Sequence, residues 1–378
     1  MELTLCVPCL FGLEGLAADE LRRLGMENVR AENGRVLFDG TALDIARANI
    51  ALRTGERILI QVGAVRADTF DMLFEGVKAM KWEQFIPKNG SFPVKGHSIN
   101  SKLHSIPDCQ RIIKKAVADR LASKYHVGWL EESGEKYQIQ FAIMNDTAYL
   151  YIDTTGQGLH KRGYRPVSNL APLRETLAAA MVLLSRYRGR GQVCDPFCGS
   201  GTIPIEAALI AKNRAPGLNR SFAAQKWAWM PKISWKTAAE EAKDREFHGE
   251  YDIWGGDVDP ASVKIARENV RRAGVGDIVR IEEADVRRFY RDAPGGLIIS
   301  NPPYGERVME RTDAERLYRE FGAAVKKLDG WGIYILSSHV DFERHFGKTA
   351  DKKRKLYNGM IKCDLYMYNR SSGGENKR

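Results

Sequence analysis

The sequence predicts an α/β protein in which a small α+β region precedes a larger domain built on a parallel, doubly wound sheet. Short strands and helices alternate through the first 150 residues, which favours small mixed layers there. From residue 192 onward, a strand, a glycine-rich loop and a helix follow one another directly. Three later strands each end in an acidic or amide residue, as expected where parallel strands meet at one edge of a sheet.

The first region is predicted from its apolar spacing. Strands are indicated at residues 2–8, 36–38, 58–62, 137–143 and 148–153, and helices at 15–24, 41–49, 69–78 and 109–125. The last of these helices carries five cations within fourteen residues, at Arg111, Lys114, Lys115, Arg120 and Lys124. Like charges so close repel one another, so this face is either a solvated surface or one that binds phosphates. We take Arg111, Lys114 and Lys115 as candidate contacts to a polyanion.

A composition change at residue 154 predicts a linker that is rich in glycine and cations and ends in a loop containing proline. It carries Lys161, Arg162 and Arg165 beside Tyr164. Cations interleaved with an aromatic ring are typical of proteins that bind single-stranded nucleic acid, although cations in a linker are also commonly just solvated. Lys161, Arg162 and Arg165 are therefore further candidate contacts.

The charge balance supports a polyanionic partner. The 378 residues carry a net charge of +10, distributed as −3 over residues 1–50, +5 over 51–170 and +8 over 171–378. No apolar run approaches the roughly 18–20 residues that cross a bilayer, so we expect a cytoplasmic protein with no membrane partner. The six cysteines are few and scattered, which argues against a disulfide framework. We expect no metal site.

The segment Asp195-Pro196-Phe197-Cys198-Gly199-Ser200-Gly201 is the predicted ligand loop, between a strand at 192–195 and a helix at 202–211. Such a loop presents backbone N–H groups and a helix N-terminus at the carboxyl edge of a sheet. A dinucleotide fingerprint would need a third glycine where this chain has Pro204, so NAD is disfavoured. The lack of a Gly-Lys-Ser/Thr continuation disfavours an NTPase.

Two acids follow at the ends of the next predicted strands. Asp257 follows a strand at 252–256 and suits the hydroxyls of a ribose, whereas Asp285 follows a strand at 278–282 and suits the amine of an adenine. Either acid alone could be a helix cap or a surface residue. Together, after a glycine loop, they favour a cofactor that contains adenosine.

The tetrapeptide Asn301-Pro302-Pro303-Tyr304 ends the strand predicted at 296–300 and indicates the chemistry. Two prolines stiffen the loop and remove N–H donors, so the Asn301 amide oxygen and a main-chain carbonyl are both free to accept from one –NH₂ group. Such acceptors direct the nitrogen lone pair of a base amine toward an electrophilic methyl group, and the Tyr304 ring can stack on the base.

With these motifs, residues 171–370 resemble a class I S-adenosylmethionine-dependent amino-methyltransferase. The whole chain is similar to the bacterial THUMP-domain RNA methyltransferases, which include the guanine-N2-methylating enzymes of 23S ribosomal RNA. The segments that support the likeness are 160–165, 171–177 and 219–222. The resemblance implies a ferredoxin-like piece at 1–58, a THUMP module at 59–155, a linker at 156–170 and a Rossmann-like, seven-stranded methyltransferase domain at 171–378.

The resemblance also assigns site residues. In the cofactor pocket, it implies that Gly199 and Gly201 lie against the methionine part, that Asp195 supports the loop, and that Asp257 and Asp285 take the ribose and the adenine amine. Thr176 is expected to line the same pocket, and Phe197 either flanks the cofactor or belongs to the core. The residues implied for catalysis are Asn301, Pro302, Pro303 and Tyr304.

The predicted function is methyl transfer to a guanine N2 amine, with 23S rRNA as the expected substrate. The alternatives are adenine-N6 methylation of RNA or DNA, guanine-N2 methylation of tRNA, and a non-catalytic RNA-binding or assembly factor. The long insertion at 215–250 carries Trp227, Trp229 and Trp235 and is expected either to clamp RNA or to cover the core of the catalytic domain. The basic run at 352–355 is predicted to be a loop.

Overall fold

The computed structural model describes residues 2–166, 173–304 and 310–369. The chain forms two compact units. Unit 1 contains the chain up to Cys9, Ala17–Leu159 and Ser221–Glu240, and unit 2 contains Leu10–Leu16, His160–Arg220 and the chain from Glu241 onward. A segment of the predicted insertion therefore belongs to the same unit as the N-terminal region.

Unit 1 is built on one seven-stranded sheet. Its strands are β1 (Leu3–Pro8), β2 (Glu27–Glu32), β3 (Arg35–Gly40), β4 (Leu59–Arg66), β5 (Val94–Ile99), β6 (Ile139–Met144) and β7 (Thr147–Asp153). The spatial order is β2-β3-β1-β4-β7-β6-β5, and of its pairs β5 and β6 are parallel whereas the others are antiparallel. The helices in this part of the chain are α1 (Glu14–Arg23), α2 (Ala42–Ala51), α3 (Phe70–Ala79) and α4 (Ile106–Tyr125).

The sheet of unit 1 is continuous across residue 58, because β4 pairs with β1 on one side and with β7 on the other. The predicted strands and helices are present with shifted ends. The sequence analysis missed β2, whose residues are almost all exposed, and β5, whose apolar alternation is interrupted at Gly96. Neither strand carries the apolar pattern by which buried strands are found.

Unit 2 holds the second seven-stranded sheet. Its strands are β8 (Gln192–Asp195), β9 (Ile253–Asp257), β10 (Val279–Glu283), β11 (Gly296–Ser300), β12 (Trp331–Ser337), β13 (Lys352–Asn358) and β14 (Ile361–Tyr368), and its helices are α5 (Glu175–Leu184), α6 (Thr202–Ala211), α8 (Pro260–Ala273), α9 (Arg311–Val325) and α10 (Phe342–Phe346). The order is β10-β9-β8-β11-β12-β14-β13. Strands β8 to β12 are parallel, and β14 and β13 are antiparallel. The prediction of a Rossmann-like sheet after an α+β region is confirmed.

Helices cover both faces of this sheet. Since alternate residues of each strand point to opposite sides, each strand contributes to two core clusters. On one side, Val193 and Ile299 belong to a core cluster shared with α5, α6 and α8. On the other, Cys194 and Ile298 belong to a cluster shared with α9 and α10. Within this sheet β8 and β11 are neighbours, although the chain moves outward from them in opposite directions. This is the topological switch point where open α/β sheets bind ligands.

The aromatic residues of the insertion pack on unit 1, which corrects both expectations for this segment. The Trp227 ring stacks on Tyr137 with 4.8 Å between centroids, and its indole N–H donates to the Lys136 carbonyl over 3.0 Å. The Trp229 indole donates to the Phe85 carbonyl, also over 3.0 Å. Trp235 is buried on helix α7 (Lys232–Asp244). Burial leaves Trp227 and Trp235 no free ring face to clamp RNA, and the packing partners named here belong to unit 1 rather than to the catalytic domain.

The basic run at 352–355 begins strand β13 and pairs with β14, so the predicted loop is wrong there. Arg354 is half-buried, Lys355 is exposed and Leu356 is buried, an alternation that the four consecutive cations conceal in the sequence. All six cysteines are free and buried. Among the described residues, no helix is both long and apolar enough to cross a membrane.

Candidate active site

The carboxyl ends of β8 and β11 are joined by a direct hydrogen bond between side chains. The Ser300 hydroxyl donates to Oδ1 of Asp195 over 2.5 Å, and the backbone N–H of Phe197 donates to the same oxygen over 3.1 Å. Asp195 is almost completely buried. Burial raises its pKa to about 7, against the opposing effect of the Ser300 hydrogen bond. Asp195 therefore ties the loop after β8 to the end of β11.

Two further hydrogen bonds hold the glycine loop. Gly199 and Gly201 have positive φ angles of 51° and 82°, which glycine adopts without strain. The N–H of Gly199 donates to Oδ2 of Asp257 over 2.9 Å, so the loop is fixed to the end of β9. The side chain of Asn269, on α8, donates to the Ser200 carbonyl over 2.9 Å. The loop is consequently preorganised in front of α6.

Asp257 is placed to accept further donors. Its Oδ1 accepts the N–H of Asp259 over 3.0 Å, and Oδ2 accepts from Gly199. Burial raises the pKa of this carboxyl, and hydrogen bonds from the backbone N–H groups of Asp259, Gly199 and Val258 oppose that effect. Because the two carboxylate oxygens have about four lone-pair sites, the group can still accept a hydrogen bond from a hydroxyl. This acceptor capacity fits the ribose role predicted for Asp257.

Asp285 lies after β10 and already has a cationic partner. It caps a short 3-10 helix at Val286–Arg288 through the N–H of Arg287, over 2.9 Å. The Arg287 guanidinium binds both carboxylate oxygens, and this hydrogen bonding lowers the pKa of Asp285. An adenine amine at Asp285 would have to share these oxygens with Arg287.

The tetrapeptide follows β11 directly, beside the glycine loop. The Tyr304 hydroxyl donates to Oδ1 of Asn301. Burial raises the pKa of Tyr304 well above its usual range, so this hydroxyl stays a donor. The Tyr318 hydroxyl, from α9, donates to the Pro303 carbonyl over 2.6 Å. The amide oxygen that the predicted chemistry needs is thus already held in a defined orientation by the loop itself.

Two predicted cofactor residues lie within the packed core. Phe197 is partly buried and meets Phe321 edge to face, with 5.2 Å between ring centroids. Thr176 is fully buried in α5, a helix that packs on α6. The contacts of Phe197 agree with the core role that the sequence left open for it, and the pocket-lining role of Thr176 stays a prediction.

The linker arginines are buried in unit 2. Arg162 pairs with Glu206 over 3.4 Å, and the Tyr164 hydroxyl donates to the same carboxylate over 3.1 Å. Arg165 pairs with Glu175 over 2.9 Å and donates to the Thr202 hydroxyl, at the start of α6, over 2.8 Å. These guanidinium groups neutralise carboxylates inside the domain. The structure thereby corrects the expectation that Arg162 and Arg165 face a polyanion.

The remaining candidate contacts differ in exposure. The Arg111 side chain is 80% exposed beside Asp108, and Lys115 and Lys161 are exposed as well. Lys114 is half-buried, with its ammonium 2.5 Å from Glu132 and 3.7 Å from the centroid of the Phe92 ring. Arg111, Lys115 and Lys161 therefore stay candidate contacts with accessible charge, whereas the charge of Lys114 is largely used within unit 1.

Sequence reasoning missed three residues that hold the site together: Ser300, Asn269 and Tyr318. Ser300 could have been found, since it is the last residue of a predicted strand and precedes the tetrapeptide. Asn269 and Tyr318 lie on amphipathic helices, 69 residues from Ser200 and 15 residues from Pro303. No local pattern marks them.

Three family models match the chain. The model described as "RMKL-like, methyltransferase domain" matches residues 162–367. The RlmL ferredoxin-like domain matches residues 4–59, and the THUMP domain matches residues 67–153.

Curated relatives match along nearly the whole chain. The Bacillus subtilis protein named "Putative RNA methyltransferase YpsC" is 46% identical, over 97% of this chain and 95% of its own length. The "Ribosomal RNA large subunit methyltransferase K/L" of Syntrophotalea carbinolica is 34% identical, over 94% of this chain and 52% of its own length. The chain thus spans about half the length of this second relative.

Solved structures share the fold throughout. A possible methylase from Clostridium difficile 630 is 42% identical, with a TM-score of 0.96 over all of both chains. A structure titled as a predicted N6-adenine-specific DNA methylase from Listeria monocytogenes is 44% identical, with a TM-score of 0.93 over 98% of this chain and 97% of the other. The structure described as "SMU.472, a putative methyltransferase complexed with SAH" is 41% identical, with a TM-score of 0.93 over 99% of each chain.

Proposed function

Because the chain belongs to the RMKL-like methyltransferase family, we propose that it methylates RNA at the exocyclic N2 amine of a guanine, with S-adenosylmethionine as cofactor. Large-subunit (23S) rRNA is the first candidate substrate. The observation that carries the proposal is the hydrogen bond between Ser300 and Asp195, because it sets the Asn301 tetrapeptide beside the glycine loop at the switch point of the sheet.

The residues of this edge suit the cofactor. S-adenosylmethionine supplies an electrophilic methyl group on a sulfonium. Gly199 and Gly201 leave room for close approach at the start of α6, and Asp257 retains lone pairs for ribose hydroxyls. The structure of SMU.472, which shares this fold, is a complex with SAH. The role of Asp285 toward the adenine amine depends on sharing its carboxylate with Arg287.

The tetrapeptide suits an amine substrate. The lone pair of a base amine is delocalised into the ring, so the enzyme must orient that amine before its nitrogen can attack. Asn301 Oδ1 and the Pro302 carbonyl are acceptors for the two amine hydrogens, and the ring of Tyr304 offers a stacking surface. No strong base is required, since positioning supplies much of the rate.

Three observations support RNA as the substrate. The THUMP family model matches residues 67–153, YpsC carries the name of an RNA methyltransferase, and the K/L relative is named for large-subunit rRNA. The exposed cations Arg111 and Lys115 lie within the matched region. Enzymes that act on a base need that base unpaired or flipped out of its stack. A separate RNA-binding unit helps to present such a base.

The test is methyl transfer from labelled S-adenosylmethionine to total RNA from a strain that lacks this gene, followed by nucleoside analysis. Asn301→Ala should abolish transfer because it removes one amine acceptor, while calorimetry should give a cofactor affinity near that of the unaltered protein. Full activity of Asn301→Ala would refute the assigned role. Failure of the unaltered protein to bind S-adenosylmethionine would instead favour the non-catalytic RNA-binding or assembly factor.

Adenine N6 is the rival target, and the name of the Listeria monocytogenes structure points to it. An Asn-Pro-Pro-Tyr loop offers the same acceptors to either amine, so the tetrapeptide does not choose between them. Recovery of N2-methylguanosine from the labelled RNA supports the proposal, whereas N6-methyladenosine overturns it. If the label were found in tRNA instead of rRNA, tRNA would be the substrate and the proposed guanine-N2 methylation would still hold.

A further inference from the structure

Tyr318 contacts the tetrapeptide from α9 and belongs to none of the sequence motifs of the site. It is fully buried on α9, and its hydroxyl donates to the Pro303 carbonyl over 2.6 Å. From this contact we infer that Tyr318 is a positioning residue for methyl transfer, which acts by fixing the backbone that leads into Tyr304. The inference rests on the proposed function.

Covalent chemistry fixes most of this loop but leaves one torsion free. The proline rings hold φ of Pro302 and Pro303 at about −65°. A residue that precedes proline is restricted to extended backbone, and both Asn301 and Pro302 precede one. Pro303 is followed by Tyr304, so ψ of Pro303 is the first torsion that the sequence does not restrict in this way. The Pro303 carbonyl turns with this torsion, and the Tyr318 hydroxyl holds that carbonyl.

The position of Tyr304 depends on the same torsion. Rotation about ψ of Pro303 moves the whole of Tyr304, including the ring that would stack on the base. It also moves the hydroxyl that donates to Asn301 Oδ1. One hydrogen bond from Tyr318 therefore sets both the stacking surface and the orientation of an amine acceptor.

Tyr318 is itself held firmly in unit 2. Its ring meets His339 and Phe342 edge to face, with centroid distances of 5.6 and 5.0 Å. The N–H of Asp341 donates to Nδ1 of His339 over 3.2 Å, so Nε2 carries the proton and donates to Glu315 over 3.2 Å. Because the residues around the tyrosine are fixed in this way, its hydroxyl has a defined direction toward the loop.

Tyr318→Phe removes only the hydroxyl oxygen. Turnover should fall by about 10- to 100-fold, because a displaced acceptor and ring misorient the target amine. Cofactor affinity should stay unchanged, since the glycine loop and Asp257 are held by other contacts. In a Tyr304→Ala background, Tyr318→Phe should add little, because residues that act through one another are not additive.

Tyr366→Phe is the matched control. Tyr366 is also buried, packs on Phe342 with 4.7 Å between centroids, and donates over 3.4 Å to the His339 carbonyl rather than to the loop. The Tyr366→Phe variant also loses one hydroxyl oxygen, from a ring that packs on Phe342 as Tyr318 does, and it should keep near-normal turnover. Unchanged turnover in Tyr318→Phe would overturn the inference, as would equal losses in both variants or a parallel loss of cofactor binding.

A readout that does not depend on activity separates this inference from the proposed function. Crystal structures of the two variants should show the Pro303 peptide plane rotated in Tyr318→Phe and unchanged in Tyr366→Phe. If the unaltered protein transfers no methyl group to RNA, the proposed function fails. The peptide plane then decides about Tyr318 by itself, and an unrotated plane overturns the inference.

Discussion

Two short segments carry closely spaced positive charge, yet the fold buries two arginines of one segment and leaves a lysine of the other exposed. In the linker, Arg162 and Arg165 are buried against Glu206 and Glu175. On α4 of unit 1, by contrast, Lys115 remains exposed. The carboxylate partner of Arg162 lies 44 residues further along the chain. A cation in a sequence is thus a candidate for binding a polyanion only after the fold has been shown not to neutralise it.

The consequences differ because burial changes what a charge costs. A guanidinium removed from water needs a partner, and removal of that partner leaves an uncompensated charge in the interior. An exposed ammonium is solvated, contributes little to stability, and can neutralise a phosphate while releasing counterions. We therefore expect that removal of a buried linker arginine lowers the free energy of unfolding, and that removal of the exposed lysine on α4 weakens RNA binding.

The largest effect is expected for Arg162→Ala. It leaves the Glu206 carboxylate buried without its guanidinium, so the free energy of unfolding of unit 2 should fall by about 3–5 kcal/mol. Urea denaturation followed by circular dichroism measures this. The double variant Arg162→Met with Glu206→Gln, which removes both charges, should recover much of the loss. A stable Arg162→Ala protein that had lost RNA affinity would contradict this structural role and make Arg162 an RNA-binding candidate again.

A second effect concerns Asp195, a buried carboxyl whose donors are a hydroxyl and an N–H group. Burial raises its pKa from 3.8 to about 7 in the folded protein, so the folded form keeps a proton that the unfolded chain releases near pH 4. The free energy of unfolding should therefore fall as the pH rises from about 4 to 7, by at most about 1.4 kcal/mol per pH unit.

Asp195→Asn isolates this contribution, because the amide oxygen still accepts from Ser300 and Phe197 but does not titrate. Urea denaturation at pH 5, 6 and 7 should give a steeper fall for the unaltered protein than for Asp195→Asn. Equal slopes in the two proteins would show that Asp195 is ionised throughout. The buried acid would then resemble the carboxylates that pair with the linker arginines rather than differ from them.

The smallest effect is expected for Lys115→Ala, which removes an exposed charge. RNA affinity should weaken similarly for all sequences, and the slope of log affinity against log salt should decrease by about 1. Lys114→Ala is the matched control on the same helix, because its ammonium already pairs with Glu132. Filter binding of rRNA fragments over a salt series measures both. An equal change in slope for the two variants would contradict the distinction drawn from exposure.

Where glycine and proline define the ends of elements, the sequence predicted them well. Strand β8, helix α6 and strand β11 have their predicted bounds, because a glycine loop or a proline pair follows each strand and sharply limits the backbone. The aromatic insertion was predicted poorly. Trp227 and Trp229 pack on unit 1 through Tyr137 and Phe85, residues that precede them by about 90 and 144 positions.

Local sequence is sufficient to predict the order of strand, glycine loop and helix, the stiffness of the Asn301 tetrapeptide, and the kinds of side chain available at one sheet edge. These follow from backbone sterics and residue chemistry, which act over a few neighbouring positions. That Ser300 meets Asp195, that Tyr318 holds Pro303, and that the linker arginines are buried is visible only in the folded chain. Pairing and desolvation depend on groups far apart in the chain, and no local pattern encodes which of them meet.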